Sequence, residues 1–262
     1  MRNRRLFTTL FVGLSLYALP QLPCPAAADA PPAKAAAEEK PEPNVARGKI
    51  VDALGNPVAG AVVTVDHTIY YNSNIVVKTA RDGTYTVKIP TQGTYRVLAT
   101  LTREFHGQKY KFDLHPDVTD DFASTDGAVR NFVWKLAGEK PEPLRGNYGS
   151  PVIGYTQPGD YSMEMTDIEL TLTPDGTLID GGKGEPITAK LKSTGDGWAI
   201  PDVPVGRYKI TARHAPDNAK PAPIQIRLRN KGKFADALTA DFENPNGTGL
   251  AIHRIEVEVK KP

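Results

Sequence analysis

Short runs rich in β-branched and aromatic residues recur along this chain, and this feature constrains the fold more than any other. Gly, Pro, Asn and Asp separate the runs at intervals of about eight to twelve residues, a spacing typical of antiparallel sandwiches. Within a run, apolar residues occupy every second position, as in Tyr85, Val87 and Ile89. Such alternation turns one face of a strand inward. Residues 44–138 show no convincing helical period, so the sequence predicts an all-β fold of antiparallel β-sandwiches.

The alternating runs also predict where the individual strands lie. Phe132 and Trp134 alternate with Val133 in the last run before residue 138 and are predicted core residues. The predicted strands cover residues 45–51, 61–65, 75–79, 84–89, 94–102, 108–114, 128–136, 167–173, 187–191, 208–212, 224–228 and 255–259.

A repeated connector divides the chain into two parts. The pentapeptide Glu-Lys-Pro-Glu-Pro occurs at residues 39–43 and again, unchanged, at residues 139–143. Each copy precedes a segment of about 100 residues, which is an ordinary domain size. The predicted organisation is a signal peptide, an Ala, Pro, Glu and Lys spacer, a first sandwich module, a linker and a second sandwich module, at residues 1–28, 29–43, 44–138, 139–160 and 161–262.

The N-terminus has the features of a cleaved export signal. Arg2, Arg4 and Arg5 precede a mostly apolar run at residues 6–19, which is followed by three alanines at residues 26–28. The run is shorter than the ~20 residues of a membrane-spanning helix. The sequence therefore predicts a secreted or periplasmic protein with no transmembrane span in its mature form, and it leaves open both the general and the twin-arginine export routes.

Composition excludes several classes of protein. Of the 262 residues, 32 are Lys or Arg and 30 are Asp or Glu, and removing the signal with its three arginines changes the net charge from +2 to about −1. A nearly neutral chain is not expected to bind nucleic acid. Cys24 is the single cysteine. It rules out an internal disulfide, and it leaves lipid attachment as an alternative that the preceding Pro23 disfavours.

Four short motifs in the first module resemble those of a known family. They are Gly-Lys-Ile-Val-Asp at 48–52, Gly-Asn-Pro-Val-Ala-Gly-Ala-Val-Val at 55–63, Asp-Gly-Thr-Tyr at 82–85 and Gly-Thr-Tyr-Arg-Val at 93–97. This pattern resembles the carboxypeptidase regulatory-like domain. The resemblance implies a transthyretin-like (prealbumin-like) β-sandwich, grouped with carbohydrate-binding-like folds and similar in layout to immunoglobulin-like sandwiches. It also implies an accessory domain without catalytic residues of its own.

The second module resembles the first in one strand. Ile-Pro at 200–201 and Gly-Arg-Tyr-Lys-Ile-Thr-Ala at 206–212 correspond to Ile-Pro at 89–90 and Gly-Thr-Tyr-Arg-Val-Leu-Ala at 93–99. The opening hairpin motif of the family is missing. We therefore expect a related sandwich by shape only.

Catalytic motifs are not evident in the sequence. It lacks a zinc-binding helix motif, a phosphate-binding loop and a nucleophile elbow. Hydroxyisourate hydrolases resemble transthyretin but end in Tyr-Arg-Gly-Ser, whereas this chain ends in Val-Lys-Lys-Pro. We expect no enzyme activity and no cofactor, with a metal-dependent or transthyretin-like hydrolase as the alternative.

The first candidate site is an aromatic and amide-rich segment between two predicted strands. Its candidate ligand-binding residues are His67, Tyr70, Tyr71, Asn72 and Asn74. Aromatic rings with neighbouring amides suit a sugar, because rings stack on its C–H faces while amides bond its hydroxyls. If the segment is extended, the two tyrosines point to opposite sides and only one can enter the core. The alternative is a capped loop whose tyrosine packs on a neighbouring strand.

The second candidate site is an acidic loop. Asp117, Asp120, Asp121 and Asp126 fall within ten residues, and carboxylates are suitable calcium ligands. The spacing does not match an EF-hand loop, so a solvated loop in which aspartates cap turns is the alternative.

The export signal, the spacer and the family resemblance together predict a general function. We expect a secreted or periplasmic bacterial accessory, binding or structural protein of the cell envelope. Its partner would be a glycan or another envelope protein. The narrower hypothesis is carbohydrate binding through the segment from Tyr70 to Asn74.

Overall fold

The computed structural model describes residues 40–142, 144–244 and 252–262. The predicted signal peptide, Cys24 and nearly all of the predicted spacer lie outside this range. We call residues 40–142 the first half and residues 144–262 the second half. The strands of the first half are β1 (Val45–Asp52), β2 (Val62–His67), β3 (Asn74–Lys78), β4 (Thr84–Lys88), β5 (Thr94–Phe105), β6 (Gln108–Leu114), β7 (Phe122–Ala123), β8 (Ala128–Val129) and β9 (Phe132–Trp134).

The second half is also built from strands, with one 3-10 helix at Met165–Asp167 among its described residues. Its strands are β10 (Ser150–Thr156), β11 (Ile168–Pro174), β12 (Ile187–Lys190), β13 (Lys192–Thr194), β14 (Gly197–Val203), β15 (Arg207–His214), β16 (Ala222–Leu228), β17 (Leu238–Asp241) and β18 (Ile255–Lys260). The all-β sandwich class that the sequence predicts is confirmed.

Alternation explains why these segments form strands. On β4, Tyr85 and Val87 are buried, whereas the alternating residues Thr84, Thr86 and Lys88 are exposed. A period of two residues places the apolar side chains on one face and the polar side chains on the other. The predicted core residues Phe132 and Trp134 are buried in the same way, on either side of the partly exposed Val133.

The first half forms two sheets. One sheet has the order β4-β1-β8, with β9 also paired to β1, and the other has the order β3-β2-β5-β6, with β7 paired to β5. Most pairs are antiparallel, but β1 runs parallel to both β8 and β9. The sequence predicts antiparallel sandwiches and does not predict these two parallel pairs, because alternation within a strand carries no information about the direction of its partner.

The second half repeats this topology. Strand β10 pairs antiparallel with β14 and parallel with β18, as β1 does with β4 and β9. Strand β15 pairs with β11, β16 and β17, as β5 does with β2, β6 and β7. An additional ladder between β16 and β18 joins the strands of the second half into one nine-stranded sheet.

The tyrosines in the repeated Gly-x-Tyr motif make equivalent hydrogen bonds. Tyr95 lies on β5 and donates from its hydroxyl to the carbonyl of Gln92 at 3.2 Å. Tyr208 lies on β15 and donates to the carbonyl of Pro204 at 2.9 Å. Each ring is buried while its hydroxyl fixes the turn before the strand, the arrangement known as a tyrosine corner. This arrangement gives the sequence similarity between the halves a structural basis.

The structure departs from the sequence expectation at the predicted linker. Ser150–Thr156, inside the predicted linker 139–160, forms strand β10 between β14 and β18. Val152, Ile153 and Gly154 are buried one after another, because a central strand is covered on both faces and does not alternate. Pro151 stands at an irregularity in the pairing with β14, where its missing N–H is tolerated.

The rest of that linker is tied to the second half. The carboxylate of Asp202 accepts hydrogen bonds from the backbone N–H of Gly138 and of Gly149, each at 2.8 Å. The backbone N–H of Tyr148 donates to the carbonyl of Gly138 at 2.8 Å. These bonds hold Gly138 close to Tyr148 and Gly149, so both ends of this segment are fixed beside Asp202.

The two halves share a hydrophobic core. Contacts group residues 39–262 into one compact unit, and the buried apolar residues of both halves belong to one contiguous cluster. Between the halves, the Tyr110 hydroxyl donates to the carbonyl of Phe242 at 2.8 Å. The sequence predicts two modules, and the structure shows that the two repeated topologies are packed on one another.

Candidate functional site

The candidate sugar-binding segment is the loop between β2 and β3. Asp66 on β2 and Asn74 on β3 are the last paired residues before the loop. The N–H of His67 donates to the carbonyl of Ser73 at 3.0 Å, and the N–H of Thr68 donates to the carbonyl of Thr94 at 2.9 Å. We call residues 68–73 the tyrosine loop. Its two ends are hydrogen bonded to β2 and to β5.

The side chain of His67 forms hydrogen bonds with the backbone of the tyrosine loop. Its side chain is buried, and its Nδ1 accepts hydrogen bonds from the N–H of Ile69 at 3.1 Å and of Tyr70 at 3.3 Å. Its ring centroid lies 4.9 Å from that of Tyr95 and 4.8 Å from that of Tyr70. The sequence predicts His67 as a ligand-binding residue. In the structure its ring is enclosed and its Nδ1 is occupied, because it caps two backbone N–H groups of the loop.

The tip of the tyrosine loop exposes large side chains. The exposed fractions are 77% for Ile69, 67% for Tyr70 and 101% for Tyr71. Asn72 has a φ of 58°, in the left-handed region, so the chain bends there. Neither tyrosine enters the core, in agreement with the expectation that at most one of them could do so.

Loop side chains line a shallow cleft. Tyr70, Tyr71, Asn72 and Asn74 border it together with the edge of His67, and its volume is about 350 Å³. The structure thus brings the five predicted ligand-binding residues around one depression. Four of them are exposed.

The four aspartates of the candidate calcium site have separate local contacts. The carboxylate of Asp117 accepts hydrogen bonds from the backbone and side-chain nitrogens of Asn131, and that of Asp121 lies 3.8 Å from Arg96. Asp120 contributes its carbonyl to Arg130, and Asp126 accepts a hydrogen bond from Thr125. In residues 40–142, 144–244 and 252–262, no group of three or more acidic, His or Cys side chains is placed to hold a metal ion. These four aspartates make separate contacts, and calcium binding by the acidic loop stays a prediction.

A second depression lies where the two halves meet. Its volume is about 260 Å³, and its wall includes Phe112 and Trp134 of the first half and Tyr148 and His253 of the second half. We call it the interhalf cavity. The sequence predicts Trp134 as a core residue, and no local motif marks His253. No sequence signal could have joined them, since they meet only when the halves pack together.

Burial is the main influence on the pKa values of two histidines in this region, His253 and His115. Burial lowers the pKa of the His253 imidazole, and a hydrogen bond to the carbonyl of Lys111 offsets this effect only in part. Burial also lowers the pKa of His115, whose ring lies 6.0 Å from that of Tyr148. The nearby charge of Lys140 adds to this decrease, and Asp113 opposes it.

No protein-family model and no curated protein matches this sequence. The resemblance to the carboxypeptidase regulatory-like domain therefore stays a prediction.

Several solved structures align with most of this chain. The TIE protein of Bacillus anthracis aligns over 83% of this chain and 34% of its own, with 15% identity and a TM-score of 0.35. A streptococcal ancillary pilin aligns over 83% of this chain and 62% of its own, with 10% identity and a TM-score of 0.26. A DUF3823 family protein from Bacteroides uniformis aligns over 83% and 97%, with 15% identity and a TM-score of 0.26. At these values no function is transferred from those proteins.

Within the described ranges, no helix has the length and apolar character that crossing a membrane requires.

Proposed function

We propose that this chain is an exported, non-catalytic binding protein of the bacterial cell envelope that contacts a polysaccharide through the tyrosine loop. The observation that carries this proposal is the exposure of Tyr70 and Tyr71 at the tip of a loop whose backbone is already fixed. A tyrosine ring offers a large contact area at a low cost in conformational entropy.

Preorganisation supports this proposal. The hydrogen bonds from Ile69 and Tyr70 to His67 hold the loop before any ligand arrives. A loop that is already ordered loses little entropy on binding, so more of its contact energy contributes to affinity. Asn72 and Asn74 flank the rings and supply amide groups that can bond sugar hydroxyls.

Retention on polysaccharides tests the proposal. The purified chain is applied to immobilised chitin, xylan, starch and peptidoglycan, and the bound fraction is measured. We expect retention on at least one of them, and about a tenfold or greater loss of affinity in Tyr70→Ala and in Tyr71→Ala.

Tyr161 provides the matched control. It is another tyrosine with a highly exposed side chain, 92%, and it lies outside the tyrosine loop. We expect Tyr161→Ala to bind like the unchanged protein. No retention on any of the four materials, or equal loss in Tyr71→Ala and Tyr161→Ala, would contradict the proposal.

A further inference from the structure

Strand β3 forms one edge of its sheet. Within the residues that the structure describes, β3 pairs with β2 on one side and with no strand on the other. Next to β3, the N–H of Thr79 donates to the carbonyl of Ala61 at 2.9 Å, so the odd-numbered residues of this strand bond β2. The N–H and C=O groups of Asn74, Val76 and Lys78 therefore point away from β2, toward the open edge.

The open edge of β3 is apolar at its centre. Natural proteins usually protect such edges with charged side chains, proline or bulges. Val76, the central residue of β3, is apolar and 55% exposed, and the strand contains no proline and a single charge, Lys78, at its end. Ile75 and Val77 are half-buried against the core, so part of each side chain stays accessible. An edge of this kind can pair with another strand.

The sequence of β3 is complementary to itself. When two copies of the strand are paired antiparallel about a two-fold axis at Val76, this residue faces Val76 of the second copy. Ile75 then faces Val77 of the second copy, and Asn74 faces Lys78. Apolar residues meet apolar residues, and no like charges stand directly opposite. All three outward-pointing residues of each copy take part, which gives about six hydrogen bonds between the copies.

The charges around β3 suit the same register. Asp66 on β2 is directly paired with Asn74. Lys78 of the second copy, opposite Asn74, would lie two strand spacings from Asp66, about 10 Å between Cα atoms. The long lysine side chain and the carboxylate together span this distance. Within one copy, Lys78 is paired with Val62 at the other end of the ladder, so the lysine and Asp66 meet only between copies.

We propose that two copies of this chain associate through their β3 edges, antiparallel and centred on Val76, so that their sheets become one continuous sheet. A two-fold contact uses the same edge of both copies and therefore closes at two. Five residues on each side form a small interface, so the dimer is weak and depends on concentration. Val76 does not border the cleft of the tyrosine loop, and neither proposal depends on the other.

Sedimentation equilibrium tests the proposal. The purified protein is measured between about 10 µM and about 1 mM, the range in which a weak interface is populated. A reductant excludes a disulfide between two copies of Cys24. We expect a reversible equilibrium between monomer and dimer. A protein that stays monomeric over the whole range, or that grows beyond the dimer, would overturn the proposal.

Val76→Lys locates the contact. It places two ammonium groups opposite each other at the two-fold axis, and we expect about tenfold or weaker association. The matched control is Leu98→Lys. Leu98 is 48% exposed and lies in the same row of the same sheet face, on β5, two strands from the edge. Its substitution should change association by about twofold or less. Equal losses in both variants would place the contact on the sheet face and overturn the proposal.

A charge exchange tests the register. Lys78→Glu should weaken association about threefold or more, because it faces Asp66 of the second copy with a like charge. Adding Asp66→Lys should restore association. The lysine introduced at position 66 stands beside Arg96 in monomer and dimer alike, so that repulsion does not bias the equilibrium. Thermal unfolding shows which variants fold, and this pair decides alone if Val76→Lys does not. No recovery in the double variant would overturn the register centred on Val76.

Discussion

The carboxylate of Glu258 is nearly inaccessible to water and is bonded on both oxygens. Its Oε2 accepts a hydrogen bond from Nε of Arg227 at 2.7 Å and lies 2.6 Å from Nη2 of the same side chain, and its Oε1 accepts a hydrogen bond from the backbone N–H of Asn230 at 3.2 Å. Glu258 and Arg227 are directly paired residues of β18 and β16. A buried charge pair is sensitive to the loss of either member, because the remaining charge is left without compensation.

We predict that Glu258→Gln destabilises the protein by about 2–4 kcal/mol. The matched control is Glu243→Gln, since Glu243 pairs with Lys231 at 3.0 Å but both side chains are more than half exposed. That exposed pair should contribute about 1 kcal/mol or less. Urea unfolding of the two variants and the unchanged protein measures the difference. Equal effects of the two substitutions would show that burial of Glu258 is energetically unimportant.

At the scale of the element, the tyrosine loop depends on a close approach between β5 and β2. Gly93 has a φ of 121°, and a Cβ built there would stand 2.6 Å from Nε2 of His67. The ring of His67 in turn caps the loop backbone. Because Gly93 has no side chain, the His67 ring can occupy the position from which it bonds the loop backbone.

We predict that Gly93→Ala destabilises the protein by about 2–4 kcal/mol, because it combines backbone strain with displacement of His67. Gly107→Ala is the control: this glycine also has a positive φ of 76°, but a Cβ there meets nothing within 4 Å. Its cost should be only the backbone strain of about 1–2 kcal/mol. Chemical denaturation compares the two variants. A Gly93→Ala effect no larger than that of Gly107→Ala would refute the role of the close approach.

At the scale of the molecule, polar contacts join the two halves in addition to the core that their described residues share. Asp241 of the second half lies 2.7 Å from Nδ1 of His106 in the first half and forms a paired contact with Arg207. Burial alone would raise the pKa of Asp241, but the hydrogen bonds from Arg207 and His106 outweigh burial and lower it. His253 completes the junction through the carbonyl of Lys111 and the ring of Tyr110, 5.0 Å away.

We predict that protonation of His253 opposes folding. In the unfolded chain this histidine takes up its proton near its ordinary pKa of 6.5, whereas its folded pKa is lower because of burial. Protons therefore favour the unfolded state below pH 6.5, and the contribution of His253 to stability, complete above that pH, is lost as the pH falls.

The measurement is the free energy of unfolding between about pH 7.5 and about pH 5. His253→Gln should lose less stability over this interval than the unchanged protein, because the variant has no proton to take up at this position. His115→Gln should reduce the slope in the same direction, since burial and Lys140 also lower the pKa of His115. Parallel pH profiles for the unchanged protein and for His253→Gln would contradict the prediction.

Local patterns in the sequence were sufficient to predict most of the strands and the position of the tyrosine loop, but they did not predict β7, β10, β13, β14 or β17. Alternation such as that of Tyr85 and Val87 reports which face of a strand is buried, since it depends only on neighbouring residues. The same reasoning located Tyr70 and Tyr71 between two strands. It failed for β10 (Ser150–Thr156), because a strand buried on both faces does not alternate.

Tertiary structure decided the features that depend on distant residues. The parallel pairing of β1 with β9, the packing of His67 against Tyr95 and the meeting of Trp134 with His253 all require contacts between segments far apart in the chain. A local sequence pattern reflects only the interactions between residues that are close together in the chain. Packing of the two halves brings residues such as Trp134 and His253, which lie far apart in the chain, to the wall of one cavity.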